Sequence, residues 1–98
     1  MVKWFHDNDA TPIYQFLSEM KSTTVSDKWK DIILLDKEPE SDEIGVWNEL
    51  FRKLKFRYVT IAMSGRYTCL VESIQSQASK TEKMVVYGEW LSHSFCIF

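Results

Sequence analysis

The chain has 98 residues, of which 45% are hydrophobic and 14% aromatic, and its net charge at pH 7 is −2. This composition is typical of one globular domain, residues 1–98, and excludes a disordered or fibrous chain. The charge balance shows neither the basic excess that drives binding to nucleic acid or anionic lipid nor the acidic excess of a nucleic-acid mimic.

The location of the protein is predicted from its first residues and its cysteines. The N-terminal residues do not resemble a secretory leader, and no apolar run reaches the roughly 18 residues of a membrane span. The chain has two cysteines, too few for the disulfide framework of a small secreted domain. We therefore expect a cytoplasmic protein that makes no membrane contact.

The N-terminal part of the chain is predicted to form a short strand and then a helix. Residues 2–5 suit a strand, and Thr11 and Pro12 suit the N-cap and first position of a helix. This helix would end near Lys21, before a hydroxyl-rich loop. Its buried stripe would consist of apolar residues spaced i, i+3, i+4 and i+7, namely Ile13, Phe16, Leu17 and Met20.

The middle of the chain is predicted to form a strand and a second helix. Residues 32–35, IILL, make a short apolar run bounded by charges, which is typical of a strand buried on both faces. Ser41 is a candidate N-cap for the helix, with acidic residues before it and basic residues after it, as the helix dipole favours. The buried stripe of this helix would be Ile44, Trp47, Phe51 and Leu54.

The rest of the chain is predicted to be β-structure. Ser64 and Gly65 suit the loop of a tight hairpin, and the polar residues 75–83 suit a loop. The predicted strands are residues 56–63, 66–74, 84–91 and 94–98. The resulting order, (β)αβαβββ(β), predicts an α+β fold in which two helices pack on one mixed, mostly antiparallel sheet of four to five strands.

Metal and catalytic chemistry are not expected. His93 and Cys96 form an H-x-x-C pair that Cys69 and His6 could complete as a zinc set, but zinc sites usually show two such tight pairs. Cys69 is interpreted instead as a small apolar strand residue. No phosphate-binding loop or hydrolase motif occurs. The sequence therefore predicts no metal site, no cofactor and no enzymatic activity.

The sequence favours a protein-binding function. It has four tryptophans and four tyrosines, and these residue types dominate the hot spots of interfaces. We expect a small non-catalytic protein that acts on a larger protein partner, like inhibitors, immunity proteins or phage- and virus-encoded blockers of host defence. The candidate contact residues are two tryptophans outside any apolar stripe and an acidic cluster, namely Trp4, Trp90, Asp36, Glu38, Glu40 and Asp42.

Two alternative functions remain open. Cations interleaved with aromatic residues are the usual components of a nucleic-acid site, and here they are Arg52, Lys53, Lys55, Arg57, Tyr58, Arg66 and Tyr67. The second alternative is a structural homodimer, which would pair through an exposed sheet edge and the apolar residues 95–98.

Overall fold

The computed structural model describes residues 1–87 and 90–92. They form one antiparallel sheet of six strands in the order β3-β2-β1-β4-β5-β6, and a single α-helix, α1. The fold is therefore α+β, as predicted, but the described chain has one helix instead of two, and its sheet is antiparallel instead of mixed. The elements are β1 (Val2–His6), β2 (Tyr14–Leu17), β3 (Ser22–Val25), α1 (Ile44–Phe51), β4 (Gly65–Glu72), β5 (Gln77–Tyr87) and β6 (Trp90–Ser92).

One face of the sheet is covered, whereas no element within residues 1–87 and 90–92 packs over the other. Residues 26–63, which we call the covering layer, contain α1 and long coil segments, and they bury the inward side chains of the central strands. In β1, for example, Val2 and Trp4 are buried, whereas Lys3 and Phe5 point to the opposite face and are half-buried. The core lies between the covering layer and this inward face.

The predicted helix at residues 11–21 is wrong. This segment forms β2 and a 3-10 turn, Ser18–Met20, because Tyr14 and Phe16 alternate with period two and both become buried. The β-branched residues of β3 supply a partner strand along all four residues of β2. Lys21 reverses the chain with φ 48°, and Met20 is 74% exposed instead of lying in a helix stripe.

The predicted strand at residues 32–35 is also wrong. Only Ile33 is buried, and its one β-contact is an isolated bridge to Phe56. Leu34 and Leu35 are 41% and 40% exposed. This short apolar run therefore contributes one buried residue to the covering layer and adds no strand to the sheet.

The predicted hairpin around Ser64 and Gly65 is not formed. Phe56 forms only the isolated bridge to Ile33, residues 57–60 are coil, and Ile61–Met63 is a 3-10 turn. β4 pairs instead with β1 on one side and with β5 on the other. Residues 77–83, predicted as loop, form the first part of β5. This part has few apolar residues, and the residues of β5 that are buried in the core, Met84 and Val86, lie in its second part.

The second predicted helix is confirmed as α1. Trp47 and Phe51 are buried against the sheet, and their rings stack with centroids 5.3 Å apart. The helix ends at Phe51, earlier than the stripe suggested, so Leu54 is buried from the following coil. Ile44 at the start of α1 is 45% exposed.

Aromatic side chains of the sheet attach the covering layer by donating hydrogen bonds to backbone carbonyls of that layer. Trp4 Nε1 donates to the Arg52 carbonyl at 3.0 Å, and the Tyr14 hydroxyl donates to the Phe51 carbonyl at 2.5 Å. Both carbonyls lie at the C-terminus of α1, where a helix cannot satisfy its own acceptors. Tyr67 likewise donates to the Met63 carbonyl.

The variant Tyr14→Phe tests this attachment. It keeps the buried ring but leaves the Phe51 carbonyl without its donor, so we expect the free energy of unfolding to fall by about 1–3 kcal/mol. The matched control is Tyr58→Phe, because Tyr58 is 51% exposed and its loss should stay within about 0.5 kcal/mol. Urea unfolding measures both, and equal stability of the two variants would contradict the proposed role.

Stability should also fall at alkaline pH. Burial, with a smaller contribution from Asp36, raises the pKa of Tyr14 in the folded protein, and burial with Asp7 raises the pKa of Tyr67. The unfolded pKa is about 10, so folding favours the neutral hydroxyls and their contribution is complete below that pH. Above it, each tyrosine should cost up to about 1.4 kcal/mol per pH unit until the folded pKa is reached. Tyr14→Phe should reduce this slope, which urea unfolding at a series of alkaline pH values measures.

Two glycines provide a further matched test of the fold. Gly65 has φ 147°, and a Cβ there would collide with Asp7 Oδ1, which accepts a hydrogen bond from the Arg66 N–H at 2.9 Å. We expect Gly65→Ala to destabilise the protein by about 1–3 kcal/mol. Gly45 in α1 has open space around it, so Gly45→Ala should stabilise by about 0.5–1 kcal/mol. Thermal unfolding of both variants checks the opposite signs.

Candidate functional site

The acidic segment, residues 36–43, crosses the surface of the covering layer between the Ile33 bridge and α1. The backbone of residues 35–40 makes no hydrogen bond to any other described residue. The segment is held at its two ends. Asp36 forms an ion pair with Lys55, and the Ser41 carbonyl accepts a hydrogen bond from Trp47 Nε1 at 2.9 Å. The result is an irregular stretch, anchored on both sides, whose backbone at residues 35–40 has no hydrogen-bond partner among the described residues.

The electrostatics of the acidic segment remain strongly negative. It contains five carboxylates and one lysine. Asp36 is neutralised by Lys55, and Asp42 lies 3.6 Å from Lys21 Nζ. The exposed Glu38 and Glu40 have no cation partner among the described residues. The predicted acidic residues therefore lie together on one segment, although the charge of Asp36 is already balanced by its ion pair with Lys55.

Aliphatic side chains flank the acidic segment. Leu34 and Leu35 precede it and Ile44 follows it, and they are 41%, 40% and 45% exposed. Interfaces commonly combine an apolar centre with a polar or charged rim. The acidic segment and this aliphatic flank together have that composition.

The predicted tryptophans are placed differently from the acidic residues. Trp4 is only 3% exposed, and its indole N–H is already bonded to Arg52, so its ring is part of the core and is not on the surface. Trp90 lies on β6 opposite Tyr87 in the strand pairing. Its side chain lies outside what the structure describes.

The residues predicted for nucleic-acid binding lie on several different elements. Lys53 pairs with Glu49 at 3.2 Å, and Lys55 pairs with Asp36. Tyr67 is 5% exposed within the core. Of the other four residues, Arg52 follows the end of α1, the exposed Arg57 and Tyr58 lie in coil, and Arg66 lies on β4.

The open face of the sheet is a surface that sequence reasoning missed. On β1, β4 and β5 it carries three cations but only one carboxylate, and no described element packs over it. No local pattern in the sequence indicates it, because its residues come from strands that are distant in the chain. We call the surface the outer face, and by register it includes Lys3, Phe5, Gln15, Leu17, Thr24, Arg66, Thr68, Leu70, Glu72, Thr81 and Lys83.

A groove of about 330 Å³ lies where the outer face meets the ends of β2 and β4. Its walls include Leu17, Met20 and Ile74, and the last two are 74% and 96% exposed. Glu19 and Glu72 also line it. Apolar side chains this exposed are unusual, but their arrangement alone identifies no ligand.

The predicted zinc ligands are only partly described. Cys69 is buried on β4, and His6 lies on the neighbouring strand, where its ring packs 5.2 Å from Trp29 and 4.8 Å from Tyr67. His93 and Cys96 lie outside the described residues, as do residues 95–98 of the predicted dimer contact. Within the described part of the chain, no three His, Cys, Asp or Glu side chains are grouped to hold a metal ion.

Among residues 1–87 and 90–92, no helix has both the length and the apolar character needed to cross a membrane. No protein-family model, curated protein or solved structure matches this chain.

Proposed function

We propose that the protein is a non-catalytic binding domain that acts on a larger protein through the acidic segment and its aliphatic flank. The observation that supports this most is the irregular backbone of residues 35–40, which lacks hydrogen-bond partners among the described residues. A partner strand or loop can pair with such a backbone, and neighbouring side chains then give specificity.

The chemistry of the partner follows from the charges. Unpaired carboxylates at Glu38 and Glu40 favour a basic groove on the partner, because complementary charges accelerate encounter and fix the register. An inhibitor or immunity protein in the cytoplasm, including a blocker of host defence, would act in this way by occupying a functional groove of its target.

Apolar contact alone would not give a stable complex. Full burial of a leucine or isoleucine gains about 1.5–3 kcal/mol. Leu34, Leu35 and Ile44 are 40–45% exposed, so together they retain about 2–4 kcal/mol for a partner. A micromolar complex requires about 8 kcal/mol. Charge and backbone pairing must therefore supply much of the affinity.

Charge reversal in the acidic segment tests the proposal. The double variant Glu38→Lys, Glu40→Lys should fold normally, because both side chains are exposed and unpaired among the described residues. It should slow association with the partner by about tenfold or more at low salt, because electrostatic steering is reversed. Nuclease-treated affinity capture identifies the partner, and surface plasmon resonance with the purified partner measures the rate.

The control variant is Glu19→Lys, Asp31→Lys, which changes the net charge equally at exposed positions outside the acidic segment. It should retain most of the association rate. Equal slowing by both double variants would mean that net charge, and not this segment, governs encounter. Unchanged rates for the first variant would refute the proposed docking surface.

A further inference from the structure

Two cations face each other on the outer face, and neither forms an ion pair among the described residues. The nearby Asp7 carboxylate accepts a hydrogen bond from the Arg66 backbone N–H and is not paired with either cationic side chain. Arg66 on β4 and Lys83 on β5 are direct cross-strand neighbours, and both are exposed. Like charges directly opposite one another destabilise a strand pair. Neither side chain has a carboxylate partner among the described residues. No described residue offsets the repulsion between these two side chains, so both are available to bind an anion.

The rest of the outer face is not acidic. Its only carboxylate on β1 to β5 is Glu72, and Lys3 lies 3.5 Å from that group. On the inward side of β5, by contrast, Lys80 is paired with Glu82 at 3.0 Å. The outer face is therefore net positive in a chain whose net charge is −2, and its positive charge is concentrated at Arg66 and Lys83.

An aromatic side chain lies beside these cations. Phe5 is half-buried and pairs with Thr68, so it is a diagonal neighbour of Arg66 at about 7–8 Å on the same face. Between the aromatic residue and β5, the hydroxyls of Thr68 and Thr81 lie 2.8 Å apart. A ring, two cations and small hydroxyl side chains thus lie across three neighbouring strands.

We propose that the outer face binds single-stranded nucleic acid. Arg66 and Lys83 contact phosphates, and a base stacks on the ring of Phe5. The occupant is a polyanion because Arg66 and Lys83 have no ion-pair partner among the described residues, and it is single-stranded because an unstacked base is needed to reach the ring. The site is separate from the acidic segment, which lies on the covered side of the sheet and would repel nucleic acid.

Fluorescence anisotropy with a labelled oligothymidylate of roughly 20 nucleotides tests this inference. At about 20 mM salt the full chain should bind the single strand more tightly than a duplex of equal length. Two phosphate contacts predict a slope of log affinity against log salt near −1.4, at about −0.7 per contact. No binding at this salt concentration, or a preference for the duplex, would overturn the inference.

Variants locate the binding on the outer face. Arg66→Ala with Lys83→Ala should abolish most of the affinity, and the control Lys28→Ala with Lys37→Ala, at exposed cations elsewhere, should retain it. Phe5→Leu should weaken binding at least about fivefold and leave the salt slope unchanged, because stacking is lost and the phosphate contacts remain. Equal losses in the two double variants, or a dimer in light scattering that excludes the oligonucleotide, would overturn the inference.

Discussion

The covering layer of this protein depends on hydrogen bonds from aromatic side chains of the sheet to the backbone at the end of its one described helix. A single eight-residue helix has as many unsatisfied carbonyls at its end as a long one, but far less buried surface to offset their desolvation. Trp4 and Tyr14 supply both the missing buried surface and the missing donors. Their rings enlarge the core, and their polar atoms donate to the Arg52 and Phe51 carbonyls. The long coil segments on either side of the helix can then remain irregular.

This use of the aromatic residues changes where a binding function can lie. A tryptophan that is buried and already bonded cannot serve as an interface hot spot unless the core opens. Trp4 and Tyr67 are both in this position, despite belonging to residue types that interfaces favour. The surfaces left for recognition are then defined by charge and by backbone: the acidic segment on the covered side and the outer face of the sheet.

The sequence predicted α1 well and β2 poorly for a common physical reason. In α1, helical spacing, the apolar stripe and the order of the flanking charges all favour one structure. In residues 13–20, helical spacing competes with the alternation of Tyr14 and Phe16, and only the pairing with β3 and β1 decides between them. The first part of β5, residues 77–83, has few apolar residues, so the sequence predicts a loop there, whereas the strand predicted from residue 84 includes the second part. Its pairing with β4 is a long-range property that no local pattern contains.

The same distinction applies to the candidate sites. The acidic segment could be predicted because its charges are contiguous in the chain. The outer face could not, because Phe5, Arg66 and Lys83 come from three strands that are distant in sequence and adjacent only in the sheet. A net charge of −2 also conceals two surfaces of opposite sign. Because screening limits interactions between exposed charges to about 10 Å, a partner responds to each surface separately and not to the net charge.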